Sequence, residues 1–104
     1  MQGPYRRLSP QSLEVLLALA AEPTRWRHGY DLGQELGLKA GSLYPILIRL
    51  DERRLLESTW EDQPPQGRPP RHMYRIRPGG LEAIKVALAR NSRRPRIDTL
   101  RGAW

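Results

Sequence analysis

Cysteine is absent from the 104-residue chain. No disulfide framework and no thiolate metal site can be built, which fits a reducing compartment. The two histidines, His28 and His72, have no ligand-type neighbours at metal-site spacing, so structural or surface roles are expected. No apolar run approaches the roughly 20 residues that cross a bilayer, and no membrane is expected as a partner. At the N-terminus, Arg6 and Arg7 precede VLLALAA in the manner of a signal peptide. Glu14 interrupts that pattern and the apolar run is only seven residues long, so a helix explains it better. There is no nucleophile–base pair, no phosphate-cradling glycine loop and no carboxylate pair with an evident task. Enzymatic chemistry is not expected, and no cofactor is implied. No internal repeat is visible.

Acidic residues are in the minority. Lysine and arginine total 18 against 11 aspartates and glutamates, a formal net charge of +7. That balance favours a polyanionic partner, nucleic acid before acidic membrane. The length makes one small domain with a modest core, to which a partner subunit adds stability.

SPQSLEVLLALAAEP opens with Ser9 as N-cap and Pro10 at the first helical position. Leu13, Leu16, Leu17 and Ala20 recur at helical spacing, and Pro23 closes the segment. TRWRHG reads as a basic connector. YDLGQELG is a short helix with Leu32 and Leu36 on one side and Gly37 at its end. In SLYPILIRLDERRLL the stripe is Leu43, Ile46, Leu47 and Leu50, with Ser42, Arg49 and Arg53 opposite. Pro45 falls in the first turn if this helix starts near Ser42. If the start is near Ala40, one backbone bond is lost.

LLESTWE alternates, with Leu56, Ser58 and Trp60 on one side; Trp60 is expected in the core. HMYRIR alternates with Met73 or Tyr74 inward. Two strands around PPQGRPPR make a β-hairpin with a stiff, basic tip. Two helices joined by a tight link and followed by a hairpin form a winged helix. RPGG then breaks the chain, and LEAIKVALARN forms a last helix. Its Leu81, Ile84 and Leu88 follow the 3–4 step of a helix–helix seam, with Ala83, Val86 and Ala87 widening the apolar surface. The tail SRRPRIDTLRGAW is either disordered or docked on a second subunit through Trp104. The expected class is therefore α+β, mainly α: a winged helix-turn-helix over residues 1–80, a C-terminal dimerisation helix over 81–92, and a basic tail over 93–104.

The candidate nucleic-acid contacts follow from this layout. Lys39, Ala40, Gly41, Ser42, Leu43 and Tyr44 stand at the start of the longer helix, where base edges or phosphates are met. Small residues there permit close approach, and backbone donors at a helix start favour a phosphate. Tyr44 serves either as a phosphate donor or as a half-buried core residue. Arg49 faces outward. In the wing, Gly67 lets the tip turn beside Gln66, and Arg68 can enter a narrow minor groove or bridge phosphates. Arg71, Arg75 and Arg77 continue the charge down the hairpin. Trp26 and Trp104 either pack plainly or line a pocket for a flat ligand near a dimer seam.

HGYDLGQELG, GSLYPILIRLDERRLLESTWE and GRPPRHMYRIRPGGLEAI together resemble the PadR-like transcriptional regulators over roughly residues 9–90. The telling features are the Gly-Tyr pair opening the second helix, the Leu-Tyr-Pro triplet, and the Gly-Arg-Pro wing followed by a Tyr-Arg strand. The resemblance implies a winged-helix homodimer, assembled through its C-terminal helix, that represses transcription in the cytoplasm. It also implies release of double-stranded DNA when a small aromatic or hydrophobic effector binds. By position, Tyr30, Tyr44, Arg68 and Arg71 correspond to DNA contacts, and Pro45 belongs to the recurrent triplet. Lys39 departs from the serine-like cap common in the family, and the single C-terminal helix matches its short subgroup. Two other functions fit a basic winged helix: a protein-interaction module facing an acidic partner, and a non-specific nucleic-acid-binding protein.

Overall fold

The computed structural model describes residues 7–93. Helix α1 spans Pro10–Ala20, and Ser9 caps it by accepting from the Ser12 amide at 3.1 Å. Its buried side is Ser12, Val15, Leu16 and Leu19, while Leu17 is exposed. The stripe expected through Leu13 and Leu17 is thus rotated. Residues 15–21 are all apolar, so their own pattern does not fix which side turns inward, and packing decides.

The stretch expected as a plain connector contains a two-residue strand, β1 (Arg27–His28). Helix α2 (Gly29–Leu36) ends on Gly37, whose φ of 67° is left-handed. Helix α3 (Ala40–Glu52) buries Leu43, Ile46, Leu47 and Leu50 as its spacing predicts. Because it starts at Ala40, Pro45 lies inside the helix and cannot donate to the Gly41 carbonyl. Arg54 closes α3 in the left-handed region at φ 59°, with the Leu55 amide donating to the Leu50 carbonyl at 3.0 Å.

Strands β2 (Leu56–Trp60) and β3 (His72–Ile76) form the hairpin, in register from Leu56 opposite Ile76 to Trp60 opposite His72. Strand β1 adds to the other edge of β3, giving an antiparallel sheet ordered β1-β3-β2. Tyr74 and Ile76 point into the core.

Helix α4 (Pro78–Arg93) begins at Pro78, so Gly79 and Gly80 lie in its first turn rather than ahead of it. Proline suits the first helical position. Gly80 is required by proximity: a Cβ there would come within 2.2 Å of the Leu55 carbonyl oxygen and 2.6 Å of Ile76. Ala83 and Ile84 bury their side chains, and α4 packs along α1. One core thus joins α1, α2, α3, the sheet and α4, leaving one side of α3 and the wing turned outward.

Candidate nucleic-acid interface

The outward face of α3 opens with small residues. Ala40, Gly41 and Ser42 are exposed, followed by Tyr44, Pro45, Ile48 and Arg49. Leu43 is not part of this face: it is 1% exposed and belongs to the core. Lys39 is the N-cap residue and makes no side-chain cap bond; no acidic residue occupies the first turn. The unpaired amides there leave a positive helix end that favours an anion. Tyr30, 64% exposed, stands on α2 beside it. Tyr44 lies against the start of α2, because Gly29 has no Cβ; one there would sit 2.7 Å from the Tyr44 hydroxyl. One edge of Tyr44 is packed and 37% of the residue is exposed.

The basic residues divide into two groups. Arg25 pairs with Glu22, Arg27 with Glu35, Arg68 with Glu61 and Arg75 with Glu57. Arg75 also stacks over the Trp26 ring at 4.3 Å, which gives Trp26 a packing role. Among the described residues, the side chains of Lys39, Arg49 and Arg71 have no hydrogen-bond or ion-pair partner, and the same holds for Arg54 and Arg77. Lys39, Arg49 and Arg71 lie about the exposed face of α3.

The wing tip is a tight turn. The Arg68 amide donates to the Pro65 carbonyl at 3.1 Å, and Gly67 takes φ 83° at the third turn position, the conformation a type II turn demands there. Gln66 and Gly67 are exposed. Arg68 does not project from the tip as a free prong. Its guanidinium folds back onto Glu61 at 3.1 Å. Glu61 also accepts from the Arg71 amide at 3.1 Å and lies 3.4 Å from His28 Nε2. The hydrogen bond from Arg68 chiefly, aided by the Arg71 amide, holds the Glu61 carboxyl below its ordinary range. Sequence reading missed this organising carboxylate. The available signal was the acidic pair Glu61-Asp62 at the foot of a basic loop.

Between α3 and the wing root lies a cleft of about 640 Å³. Trp60 overhangs it, 60% exposed, in contrast to the expectation of a core residue. The indole stacks on His72 with centroids 4.4 Å apart and planes 8° from parallel. Tyr74 forms the floor; its hydroxyl hydrogen-bonds His72 Nδ1 at 3.0 Å. Burial, with Tyr44 and Asp51 nearby, pushes the Tyr74 phenol up to about 12.

On α4, Leu81 and Leu88 are exposed, whereas Ile84, expected in the same seam, is 7% exposed in the chain's own core. Trp104 and the expected basic tail beyond residue 93 lie outside the described residues.

A helix-turn-helix, a two-stranded wing and a basic outward face define a winged helix-turn-helix protein. The chain belongs to the Transcriptional regulator PadR-like family, whose model matches residues 15–86. Solved structures share the fold. The PcaV transcriptional regulator from Streptomyces coelicolor, crystallised with its natural ligand, is 27% identical with a TM-score of 0.65, over 80% of this chain and 57% of that one. The chain therefore spans little more than half the length of that regulator. A PadR-like transcription factor from Bacteroides fragilis has a TM-score of 0.70 at 22% identity, over 90% of this chain and 89% of the other. A MepR variant from S. aureus bound to an oligodeoxyribonucleotide has a TM-score of 0.65 at 12% identity, over 92% and 72%. A comparison with curated proteins finds no match. Among the described residues no helix is long and apolar enough to cross a membrane.

Proposed function

We propose that the chain is a sequence-specific DNA-binding repressor, not an enzyme, acting in the cytoplasm as a homodimer on an inverted repeat. The observation that carries this reading is the α3 face: a small-residue first turn ringed by the unpartnered cations Lys39, Arg49 and Arg71. Ala40, Gly41 and Ser42 allow the helix start to enter a major groove, and Tyr30 and Tyr44 offer hydroxyls to phosphates. Arg68 braces the wing, while Gln66 and Gly67 approach the adjacent groove. Exposed Leu81 and Leu88, two turns apart on α4, offer a seam to a second copy. Residues 1–80 then form the reading unit, 81–92 the dimer helix and 93–104 a basic tail. The two α3 helices would enter successive major grooves about 34 Å apart. The bound ligand of the PcaV regulator and the oligonucleotide on MepR support a small-molecule effector and a DNA partner respectively.

Mobility shift on duplexes selected from random sequence tests the reading. Arg49→Ala should weaken every duplex alike and reduce the slope of log affinity against log salt by about one. Substitution of Ser42 should instead change which sequence is preferred. An unchanged salt slope in Arg49→Ala and Arg71→Ala together would overturn the assignment of this face. Sedimentation of Leu88→Glu should yield a monomer.

A further inference from the structure

We propose that the cleft between α3 and the wing root holds an unpaired, amino-bearing nucleobase of a single-stranded nucleic acid. This goes beyond the duplex reading and does not rest on it.

The cleft holds about 640 Å³, a size at which small organic groups are bound. Trp60 and His72 stack almost parallel across β2 and β3, so His72 fixes the indole from one side. The tryptophan is still 60% exposed. An aromatic ring fixed beside a basic groove is a stacking platform, and every base has a π-face to lay on it. Leu47 and the exposed Ile48 add aliphatic lining from α3. A base inside a duplex has both faces covered by its neighbours and cannot lie on the platform. An unpaired base can.

The charges on either side of the platform are opposite in sign and fixed in order. Ser58 lies two residues before Trp60 on β2, and its hydroxyl donates to Asp51 at 3.1 Å. One bond to a neutral hydroxyl leaves the Asp51 charge unmet and acceptor sites open. Glu61 follows Trp60, and its amide donates to the Arg71 carbonyl at 2.9 Å. Arg71 therefore stands past the platform, toward the wing tip, with a side chain that has no partner among the described residues. His28, also in the lining, already lies between Asp31 and Glu61, 3.4 Å from each. Carboxylate, ring and guanidinium thus follow one another along the cleft. Cytosine and adenine nucleotides carry the complementary series: an exocyclic amine, a ring and, beyond the sugar, a phosphate. Lys39 and Arg49, on the same face of α3, can take the neighbouring phosphates of a strand.

Fluorescence anisotropy of labelled single strands of about eight nucleotides, titrated with the full chain in low salt, tests the site. Oligo-dC should bind. Oligo-dU, in which a carbonyl acceptor replaces the amine, should bind about tenfold more weakly. Trp60→Ala should weaken oligo-dC by about tenfold and Trp60→Phe should restore most of the loss, with thermal melts confirming that both variants fold. Asp51→Asn should bring the two strands to equal affinity, because an amide serves a donor or an acceptor edge alike. No binding of either strand by the wild type, or oligo-dC bound equally by wild type and Trp60→Ala, overturns the site. Equal affinity of the wild type for the two strands overturns the amine contact. Free dCMP bound as tightly as the strand would assign the cleft to a lone nucleotide and overturn the strand reading. In mobility shift, Trp60→Ala should leave duplex affinity unchanged. A parallel loss there would make the platform a duplex contact and overturn its use by unpaired bases. A chain that retards no duplex removes the repressor reading, while anisotropy still decides the cleft.

Discussion

The two ends of the β2–β3 hairpin are held in opposite ways. At the root, Leu55, Leu56 and Ile76 are buried, and Gly80 lets the first turn of α4 press directly on the Leu55 carbonyl. At the tip, little is buried, and the posture of the loop depends on Glu61 gripping Arg68 and the Arg71 amide. Each fully buried leucine at the root contributes roughly 1.5–3 kcal/mol. The Glu61–Arg68 pair is part-buried but still open to solvent screening, and it contributes much less. The difference teaches that strand pairing and wing posture respond to different conditions: the root to packing, the tip to pH and salt.

Substitutions can break this contrast. Gly80→Ala should have the largest effect. The clash is with backbone, which cannot swing aside, so a loss of about 3 kcal/mol is expected in denaturant melts. Gly29→Ala meets only the movable Tyr44 ring and should lose far less. If the two lost equally, close packing at the root would not be the cause. Arg54→Gly should gain about 1 kcal/mol, because Arg54 occupies left-handed backbone at φ 59°. Glu61→Ala should leave the melting transition nearly unchanged, since the pairs lost are surface pairs. It should still speed hydrogen exchange at the Arg71 amide.

The pH response sharpens the same point. Glu61 has its folded-state pKa depressed below the ordinary 4.5. Its contribution is therefore present above that value and fades only as pH falls through the folded-state pKa. Exchange protection at Arg71 should persist below pH 4.5 and disappear only as pH falls through the depressed folded-state value, with root amides still protected. Simultaneous loss at both ends would show that tip and root unfold as one unit.

Much of the fold was legible because its signals were local. Ser9-Pro10 specified the start of α1, Gly37 the end of α2, and the Leu43 to Leu50 spacing the buried side of α3. Signals that depend on the third dimension were not. Strand β1 is two residues long and exists only because β3 lies beside it. Trp60 shares a face with Leu56 as alternation predicts, but the strand runs past the edge of the core, so that face turns from buried at Leu56 to open at Trp60. Pro78-Gly79-Gly80 reads as a break because glycine disfavours helix; contact with Leu55 is what demands it. In the outward face, residue types identified Lys39, Ser42 and Arg49 correctly as surface groups. They could not show that Arg68 is already engaged, because its partner lies seven positions earlier, across the loop.

The wing's closure carries one more lesson. Glu61 and Arg71 are bonded twice, through the Glu61 amide to the Arg71 carbonyl at 2.9 Å and through the Glu61 carboxylate to the Arg71 amide. That double clasp isolates the segment 62–70 from the strands beneath it. Residues can be inserted or deleted there at slight entropic expense, without slipping the ladder below. Reach and register are thereby separable traits, and a lineage can retune how far the loop extends while inheriting an unaltered scaffold.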